Sequence, residues 1–160
     1  MPPRESTPLG GEPPISGHFL LEVDEVEIGV FTACVGLQVD VQVEEFREGG
    51  QNGYVHKLPG RMSWPNITFR RGVTDGDALF DWVNKVAGEG FSANQNKLTR
   101  STGAITLLSY DGKRLRTWRL NGVFPVRWTG PRLSASESSV LEEELEIAHE
   151  GFQSKTLSGS

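Results

Sequence analysis

Several features are absent from this chain of 160 residues, and each absence excludes a class of protein. Cys34 is the only cysteine, which excludes an intrachain disulfide and a cluster of thiolate metal ligands and leaves a buried small hydrophobe as its expected role. No apolar run approaches the roughly 18 residues that a membrane-spanning helix needs. The N-terminus lacks the basic and then apolar pattern of a secretory signal. We therefore expect synthesis in the cytoplasm and no membrane anchoring.

Catalytic patterns are absent as well. The sequence has no G-x-S-x-G motif, no phosphate-binding loop and no metal-binding triad. The three histidines, His18, His56 and His149, share no ligand spacing with one another or with carboxylates. Glu142, Glu143 and Glu144 are adjacent, but neighbouring carboxylates on a strand point to opposite faces. The sequence predicts a protein that is not an enzyme and needs no metal or cofactor.

Charge is unevenly distributed along the chain, although the total is only mildly acidic, with 16 basic and 21 acidic residues. Residues 1–60 carry 3 basic and 10 acidic side chains (−7), residues 61–132 carry 12 and 5 (+7), and residues 133–160 carry 1 and 6 (−5). The total argues against general binding to nucleic acid or anionic membranes. Two explanations fit the segregation: neighbouring strands of one sheet offset their charges, or acidic edges of one subunit meet basic edges of the next.

The stretch from Leu37 to Gly88 organises the chain. From Leu37 to Glu44 apolar and polar residues alternate with period two, which predicts a strand with one dry face. A Gly-rich excursion follows and is punctuated by Leu58-Pro59-Gly60. Alternation resumes from Arg61 to Arg71 as a second strand. Thr74 is the predicted N-cap of a single helix that ends near Gly88.

The flanking sequence is rich in predicted strands and turns. A bend or short hairpin is expected near Asp24-Glu25, and Asp111-Gly112 is a strong hairpin signal. Residues 140–150 read as a last strand, or as a strand pair with a neighbour, in which Leu141, Leu145 and Ile147 share one parity and Glu142, Glu144 and Glu146 take the opposite one. The predicted organisation is a flexible arm over residues 1–17, a β domain over 18–152 and a flexible tail over 153–160. The arm could be a disordered tail or could order against a neighbour.

Five segments carry a resemblance to a known family. They are EEFREGG (44–50), HKLPG (56–60), WPNITFRRGVTDGDALFDW (64–82), NGVFPVRW (121–128) and ELEIAHEGF (144–152). In this order and spacing the chain resembles the tail-tube proteins, which form the inner tube of contractile phage tails and related contractile injection systems. The resemblance extends from about His18 to Phe152.

The resemblance implies a mainly β (α+β) fold: an antiparallel β-sandwich or split barrel with one flanking α-helix. Strands of six subunits would join into one large barrel around a channel, and the rings would stack helically. A contractile sheath would surround the tube and drive it through a target envelope, with cargo inside. Baseplate or hub and tube-terminating proteins would complete a phage tail or phage-tail-like particle.

The resemblance and the alternating pattern together suggest three sets of contact residues. The excursion would contact the adjacent ring through Arg47, Glu48, Gly49, Gly50, Gln51, Asn52, Gly53, Tyr54, His56 and Lys57. Two polar rows could line the channel or form an ordinary solvent face: Gln38, Asp40, Gln42 and Glu44, and Asn66, Thr68 and Arg70. Asp77, Asp81 and Lys85 on the helix would face the sheath.

A second function class also fits the sequence. The chain could be a monomeric β-sandwich that binds carbohydrate or another small ligand. Trp64, Trp118 and Trp128 would then form an aromatic platform.

Overall fold

A computed structural model describes residues 17–50, 53–74, 76–86, 100–131 and 141–156. Within these ranges the chain forms ten strands and one helix. The strands are β1 (His18–Val23), β2 (Val26–Phe31), β3 (Ala33–Val35), β4 (Asp40–Phe46), β5 (His56–Ser63), β6 (Ile67–Gly72), β7 (Ser101–Leu108), β8 (Arg114–Thr129), β9 (Glu142–Ala148) and β10 (Phe152–Thr156). The helix α1 spans Ala78–Val86. The predicted class, mainly antiparallel β with one helix, is confirmed.

Eight of the strands form one antiparallel sheet that curls on itself. Its order is β2-β1-β7-β8-β9-β6-β3, and β10 pairs with β8 beside this path. The two end strands, β2 and β3, are separated in the chain only by Thr32, so the ends of the sheet lie next to each other. The backbone N–H of Thr32 donates to the carbonyl of Arg70 at 2.9 Å. The sheet is therefore a split barrel closed by a continuous segment of chain.

β8 connects the two halves of this barrel. Its first half pairs with β7 and β10, and its second half pairs with β9. Between the halves Gly122 has φ +60°, a left-handed conformation that glycine adopts without steric strain. Asn121-Gly122 thus marks a change of partner within one strand of 16 residues.

The core lies inside the barrel and follows the alternation of the strands. Ile67 and Phe69 on β6 and Leu145 and Ile147 on β9 are buried. The predicted apolar parity of the last strand is confirmed for Leu145 and Ile147, whereas Leu141 lies before β9 and is 45% exposed. The buried apolar cluster comprises Leu21, Val23, Ile28, Phe31, Ile67, Phe69, Leu79, Trp82, Ile105, Leu120, Val123, Leu145 and Ile147.

Two predicted boundaries are wrong. The backbone N–H of Asp81 donates to the carbonyl of Asp77 at 2.9 Å, so helical bonding begins at Asp77 and not at Thr74. The predicted strand from Arg61 to Arg71 is two strands, because Trp64 to Asn66 separate β5 from β6. Leu58-Pro59-Gly60 lies inside β5, beside a register irregularity in an edge strand that tolerates proline and glycine.

Both predicted turns are hairpins. Asp24 and Glu25 join β1 to β2, and both have positive φ (50° and 66°), as a two-residue hairpin loop requires. Gly112, at φ +83°, lies in the turn between β7 and β8. At the other end of the domain, residues 153–156 belong to β10, so the predicted flexible tail is wrong for these residues. The predicted arm lies outside the described residues except for Gly17, and Gly88 also lies outside them.

Trp82 is expected to be the main anchor of α1. Its side chain is 6% exposed and belongs to the buried cluster. Replacement by alanine leaves a large cavity, so Trp82→Ala should lower the free energy of unfolding by about 3–5 kcal/mol, measured by chemical denaturation. Trp82→Phe is the matched control, because within the described chain the indole N–H has no hydrogen-bond partner. A change near zero in Trp82→Ala would contradict the anchoring role.

Candidate assembly surfaces

β4 and β5 form a two-stranded sheet of their own, separate from the barrel. Every residue of β4 is exposed, and six of the eight residues of β5 are exposed. An isolated two-stranded hairpin is at best marginally stable in water, because nothing covers either face. The expected dry face of the strand after Leu37 is therefore wrong for the single chain, in which Val39, Val41 and Val43 are 41%, 43% and 60% exposed.

The register of this hairpin separates an apolar face from a polar one. Val41 lies opposite Met62, and Val43 lies opposite Pro59. Directly opposed residues share a face, so these four side chains form what we call the apolar face of the hairpin. Asp40 and its partner Ser63 lie on the other face, together with Gln42 and Glu44. The three hairpin residues predicted to line a channel thus share one polar, exposed face.

The tip of the hairpin carries a second group of exposed apolar residues. Phe46 lies opposite His56, and Glu44 lies opposite Leu58, on the same face as the polar row. Phe46, Tyr54 and Leu58 are 54%, 58% and 51% exposed. The rings of Tyr54 and His56 meet edge to face with centroids 5.0 Å apart. The tip can therefore offer both aromatic and charged contacts.

The predicted inter-ring residues belong to this tip. The exposed residues at the turn are Arg47, Glu48, Gly49, Gly50, Gly53 and Tyr54, and His56 and Lys57 begin β5. Gln51 and Asn52 lie outside the described residues. His56 Nε2 is 3.9 Å from a Glu48 carboxylate oxygen, which brings the two arms of the turn together.

A second polar surface covers the outside of the barrel at β6 and β9. The side chain of Asn66 donates to Glu146 at 2.9 Å, and Arg70 donates to Glu144 at 3.0 Å. Thr68 lies opposite Glu146 in the register of the two strands. All three predicted channel residues of this segment therefore lie on one polar surface with two glutamates.

The same surface continues onto β8. Arg127 lies opposite Glu146, and Thr129 lies opposite Glu144. Sequence reasoning did not identify these individual contacts, although one of its two explanations for the charge segregation, charge offset between neighbouring strands of one sheet, fits them. The signal was available in the pattern, since alternate glutamates on one strand face a strand with alternate polar residues. The outer surface of β6, β9 and the second half of β8 is thus polar, with one ion pair between Arg70 and Glu144 and further polar residues of opposite character on neighbouring strands.

Behind this surface lies a buried ion pair. Arg71 Nε donates to Glu143, and both side chains are less than 10% exposed. Glu143 also accepts a hydrogen bond from Trp128 Nε1 at 3.2 Å. The guanidinium of Arg71 lies 5.0 Å from the centre of the Phe31 ring, a cation–π arrangement. Each charge has several partners, so this pair joins β2, β6, β8 and β9 from the inside.

The helix α1 presents its charged residues to the outside. Asp77, Asp81 and Lys85, the predicted sheath-facing residues, are all exposed. Phe80 is 38% exposed, and its ring lies 4.8 Å from that of Trp128, which is 37% exposed. The helix thus offers a charged row beside a half-exposed aromatic pair. Within the described part of the chain, no helix is long and apolar enough to cross a membrane.

A groove of about 520 Å³ lies over β1, β7, β8 and β10. Its lining includes Glu22, Arg114, Thr117, Arg119 and Lys155. Glu22 is held by Arg114 at 3.1 Å, and the Thr117 hydroxyl is hydrogen-bonded to that of Thr106 at 3.0 Å. These are the pairings of a charged sheet surface.

Known proteins share both the sequence pattern and the architecture. A family model for the T4-like virus tail tube protein gp19 matches residues 16–153 of the chain. The chain belongs to this tail tube family. No curated protein matches the sequence.

Solved structures of injection systems share the fold of this tail tube protein. One is a chain of the sheath-tube complex of PVC, an extracellular contractile injection system, in its extended state. It is 26% identical, with a TM-score of 0.72 over 91% of this chain and 93% of that chain. A chain of the sheath/tube terminator of the same system is 28% identical, with a TM-score of 0.69 over 90% and 98%. A chain from the tube-terminating cap of the anti-feeding prophage shows the same fold at 24% identity, with a TM-score of 0.71 over 91% and 93%.

The alternative of a carbohydrate-binding module is wrong for this tail tube protein. The three indoles of the supposed platform have different surroundings. The Trp64 ring packs against His149 and Phe152, Trp118 packs against the buried core, and Trp128 packs against Phe80. Two of them therefore serve packing in separate parts of the fold, and the third is held by Glu143.

Proposed function

We propose that this tail tube protein forms the inner tube of a contractile injection system or contractile phage tail, as six-membered rings that stack helically. The observation that carries the proposal is the hairpin β4–β5, which has an apolar face and no core of its own. The occupant that fits this face is a second copy of the chain. Membership of the tail tube family and the similarity to chains of sheath-tube and terminator assemblies support this assignment.

Burial of the apolar face supplies the driving force for ring formation. Val43 and Met62 are 60% and 53% exposed in the single chain. Full burial of a side chain of this kind stabilises an assembly by about 1.5–3 kcal/mol relative to full exposure. Because the face of one copy contacts a different surface of the next, the contact is heterologous and closes into a ring when the rotation is right. A neighbouring structure, the baseplate of the anti-feeding prophage, is described as six-fold symmetrised, which supports six copies.

The two polar surfaces would line the channel. One comprises Gln38, Asp40, Gln42 and Glu44 at the hairpin, and the other comprises Asn66, Thr68 and Arg70 with the glutamates of β9. Support comes from their exposure and from the pairing of Arg70 and Asn66 with Glu144 and Glu146. A lumen lined by hydrated polar and charged side chains gives passing cargo few apolar surfaces to adhere to.

The tip and the helix would contact other partners. The tip residues Arg47–Gly50, Tyr54, His56 and Lys57, together with Gln51, Asn52 and Gly53, would reach the adjacent ring. Asp77, directly before α1, and Asp81 and Lys85 on α1 would face the contractile sheath, and their exposure supports this role. Baseplate or hub and terminator proteins would bind the ends of the tube. The particle would be assembled from subunits made in the cytoplasm.

Labelling of assembled tubes tests both the assembly and the channel surface. Tubes of an Asp40→Cys variant, identified by negative-stain electron microscopy, are expected to react slowly with a bulky maleimide added from outside, because Asp40 would face the lumen. Burial raises the pKa of the Cys34 thiol to about 12, so at about pH 8 this cysteine holds little thiolate and competes poorly.

The matched control is an Asp81→Cys variant, in which the new thiol lies on the exposed side of α1 and should react rapidly. Equal rates in the two kinds of tube would refute the channel assignment. A stable monomer at high concentration, with no rings or tubes, would refute the proposed function itself.

A further inference from the structure

The base of the hairpin β4–β5, which we call its root, is held to the barrel by packed aromatic rings. We call this group, Trp64, His149 and Phe152, the aromatic joint. Trp64 follows β5 directly, and its ring centroid is 6.0 Å from that of His149 and 5.0 Å from that of Phe152. Gly151 lies against the same indole at φ +131°, and a Cβ there would be 3.1 Å from Trp64 Cε2. The joint therefore packs the base of the hairpin onto the turn between β9 and β10.

His149 occupies the centre of this joint and is only 8% exposed. The backbone N–H of Gly151 lies 3.1 Å from His149 Nδ1, and a backbone N–H can only donate. Nδ1 must therefore carry the lone pair, so the ring hydrogen is on Nε2. Nε2 lies 3.0 Å from the carbonyl oxygen of Pro65 and donates to it. One imidazole thus links Pro65, at the hairpin root, to Gly151 in the turn.

The turn itself is fixed to β8. The backbone N–H of Glu150 donates to the carbonyl of Asn121 at 2.8 Å, and the N–H of Asn121 donates to the carbonyl of Gly151 at 3.0 Å. The hydrogen bonds therefore run without interruption from β8 through Gly151 and His149 to Pro65. Because the hairpin β4–β5 has no core of its own, its orientation relative to the barrel depends on this attachment.

We propose that His149 is a positioning residue for assembly: its bond to Pro65 holds the hairpin in the direction that a neighbouring copy receives. This inference rests on the proposed function, because it assumes that the hairpin docks on a second copy. Holding the hairpin in its docked direction before assembly removes part of the ordering entropy that association would otherwise oppose. The subunit is thereby prepared for the ring while it is still free.

Two substitutions separate the two hydrogen bonds of His149. In His149→Asn the side-chain oxygen takes the place of Nδ1 and accepts from Gly151, but the side chain is too short to reach Pro65. In His149→Gln the terminal amide reaches the place of Nε2 and donates to Pro65, but Gly151 loses its acceptor. If His149 only supported the turn, His149→Gln would impair assembly more than His149→Asn, because Gly151 loses its acceptor in the Gln variant. The proposed role predicts that His149→Asn impairs assembly more, because it is the variant that loses the bond to Pro65.

The test compares the concentration at which each full-length variant forms tubes, measured by sedimentation, with amide hydrogen exchange below that concentration. We expect His149→Asn to raise the assembly concentration at least about tenfold, equivalent to about 1.4 kcal/mol, and to speed exchange in β4 and β5 only. His149→Gln should remain within about threefold of the wild type.

Two results would overturn the inference. One is equal assembly of both variants and the wild type, with unchanged exchange in the hairpin. The other is failure of both variants together with faster exchange in β1 and β9, which would mean that His149 only supports the fold. If the wild type does not assemble, the proposed function fails, and the exchange rates of the hairpin amides still decide whether His149 holds its root.

Discussion

Val43→Lys is expected to abolish ring and tube formation while leaving the subunit folded. Val43 is 60% exposed in the single chain, so a lysine there remains hydrated, and substitutions at such positions usually change stability by less than about 0.5 kcal/mol. In the proposed ring the same position would be covered by a neighbouring copy. An ammonium buried there without a partner opposes association by several kcal/mol. Sedimentation velocity should show monomers at concentrations at least about 100-fold above those at which the wild type assembles.

Val26→Lys is the matched control for this experiment. Val26 is also a strand valine that is 60% exposed, but it lies at the start of β2, away from the hairpin. The control should unfold at the same temperature as Val43→Lys and should still form tubes. Tube formation by Val43→Lys at wild-type concentrations would contradict the assignment of the apolar face. Loss of assembly in both variants would show that the effect is not specific to the hairpin.

Arg71→Ala is expected to cause the largest loss of stability at a single charged residue. Glu143 would remain inside the barrel without the guanidinium that neutralises it, and breaking a buried pair in this way costs about 3–5 kcal/mol. The Phe31 ring would also lose its cation. The free energy of unfolding from denaturant titration measures this loss. The double variant Arg71→Met/Glu143→Leu should recover most of it, because both charges are then replaced by apolar groups of similar volume.

The neighbouring pair gives the control. Arg70 pairs with Glu144 at 3.0 Å, with the same two residue types on the same two strands, but on the exposed side of the sheet. Water screens this pair, so Arg70→Ala should cost less than about 1 kcal/mol. Similar losses in Arg70→Ala and Arg71→Ala would show that burial does not govern the strength of these pairs. A double variant as unstable as Arg71→Ala would show that packing around Arg71, and not its charge, is responsible.

Alternation and turn chemistry were sufficient to predict much of the barrel. The parity of Leu145 and Ile147, the hairpins at Asp24-Glu25 and Asp111-Gly112, and the presence of one helix were all correct. These features depend on residues close together in the chain. The errors occur where contacts between residues far apart in the chain determine the local structure. The strand expected from Arg61 to Arg71 breaks at Trp64, because the ring of Trp64 packs on His149 and Phe152.

The candidate surfaces show the same division. The polar rows at Asp40 and Arg70 were predicted from period two alone. Their partners Glu144 and Glu146 were not, because the register between β6 and β9 joins residues more than 70 positions apart. The core ion pair between Arg71 and Glu143 could not be foreseen for the same reason. Sequence alternation reports which face of a strand avoids water, but not what covers that face.

By itself, the order of apolar, polar and turn residues determined that this chain is a mainly β protein with one helix, and the five matching segments placed it in its family. Only the tertiary structure decided that the strand after Leu37 belongs to a hairpin outside the barrel, with its apolar side uncovered. The physical reason is that periodicity is a local property of the chain. The partner of a dry face is set by contacts across the barrel and between copies.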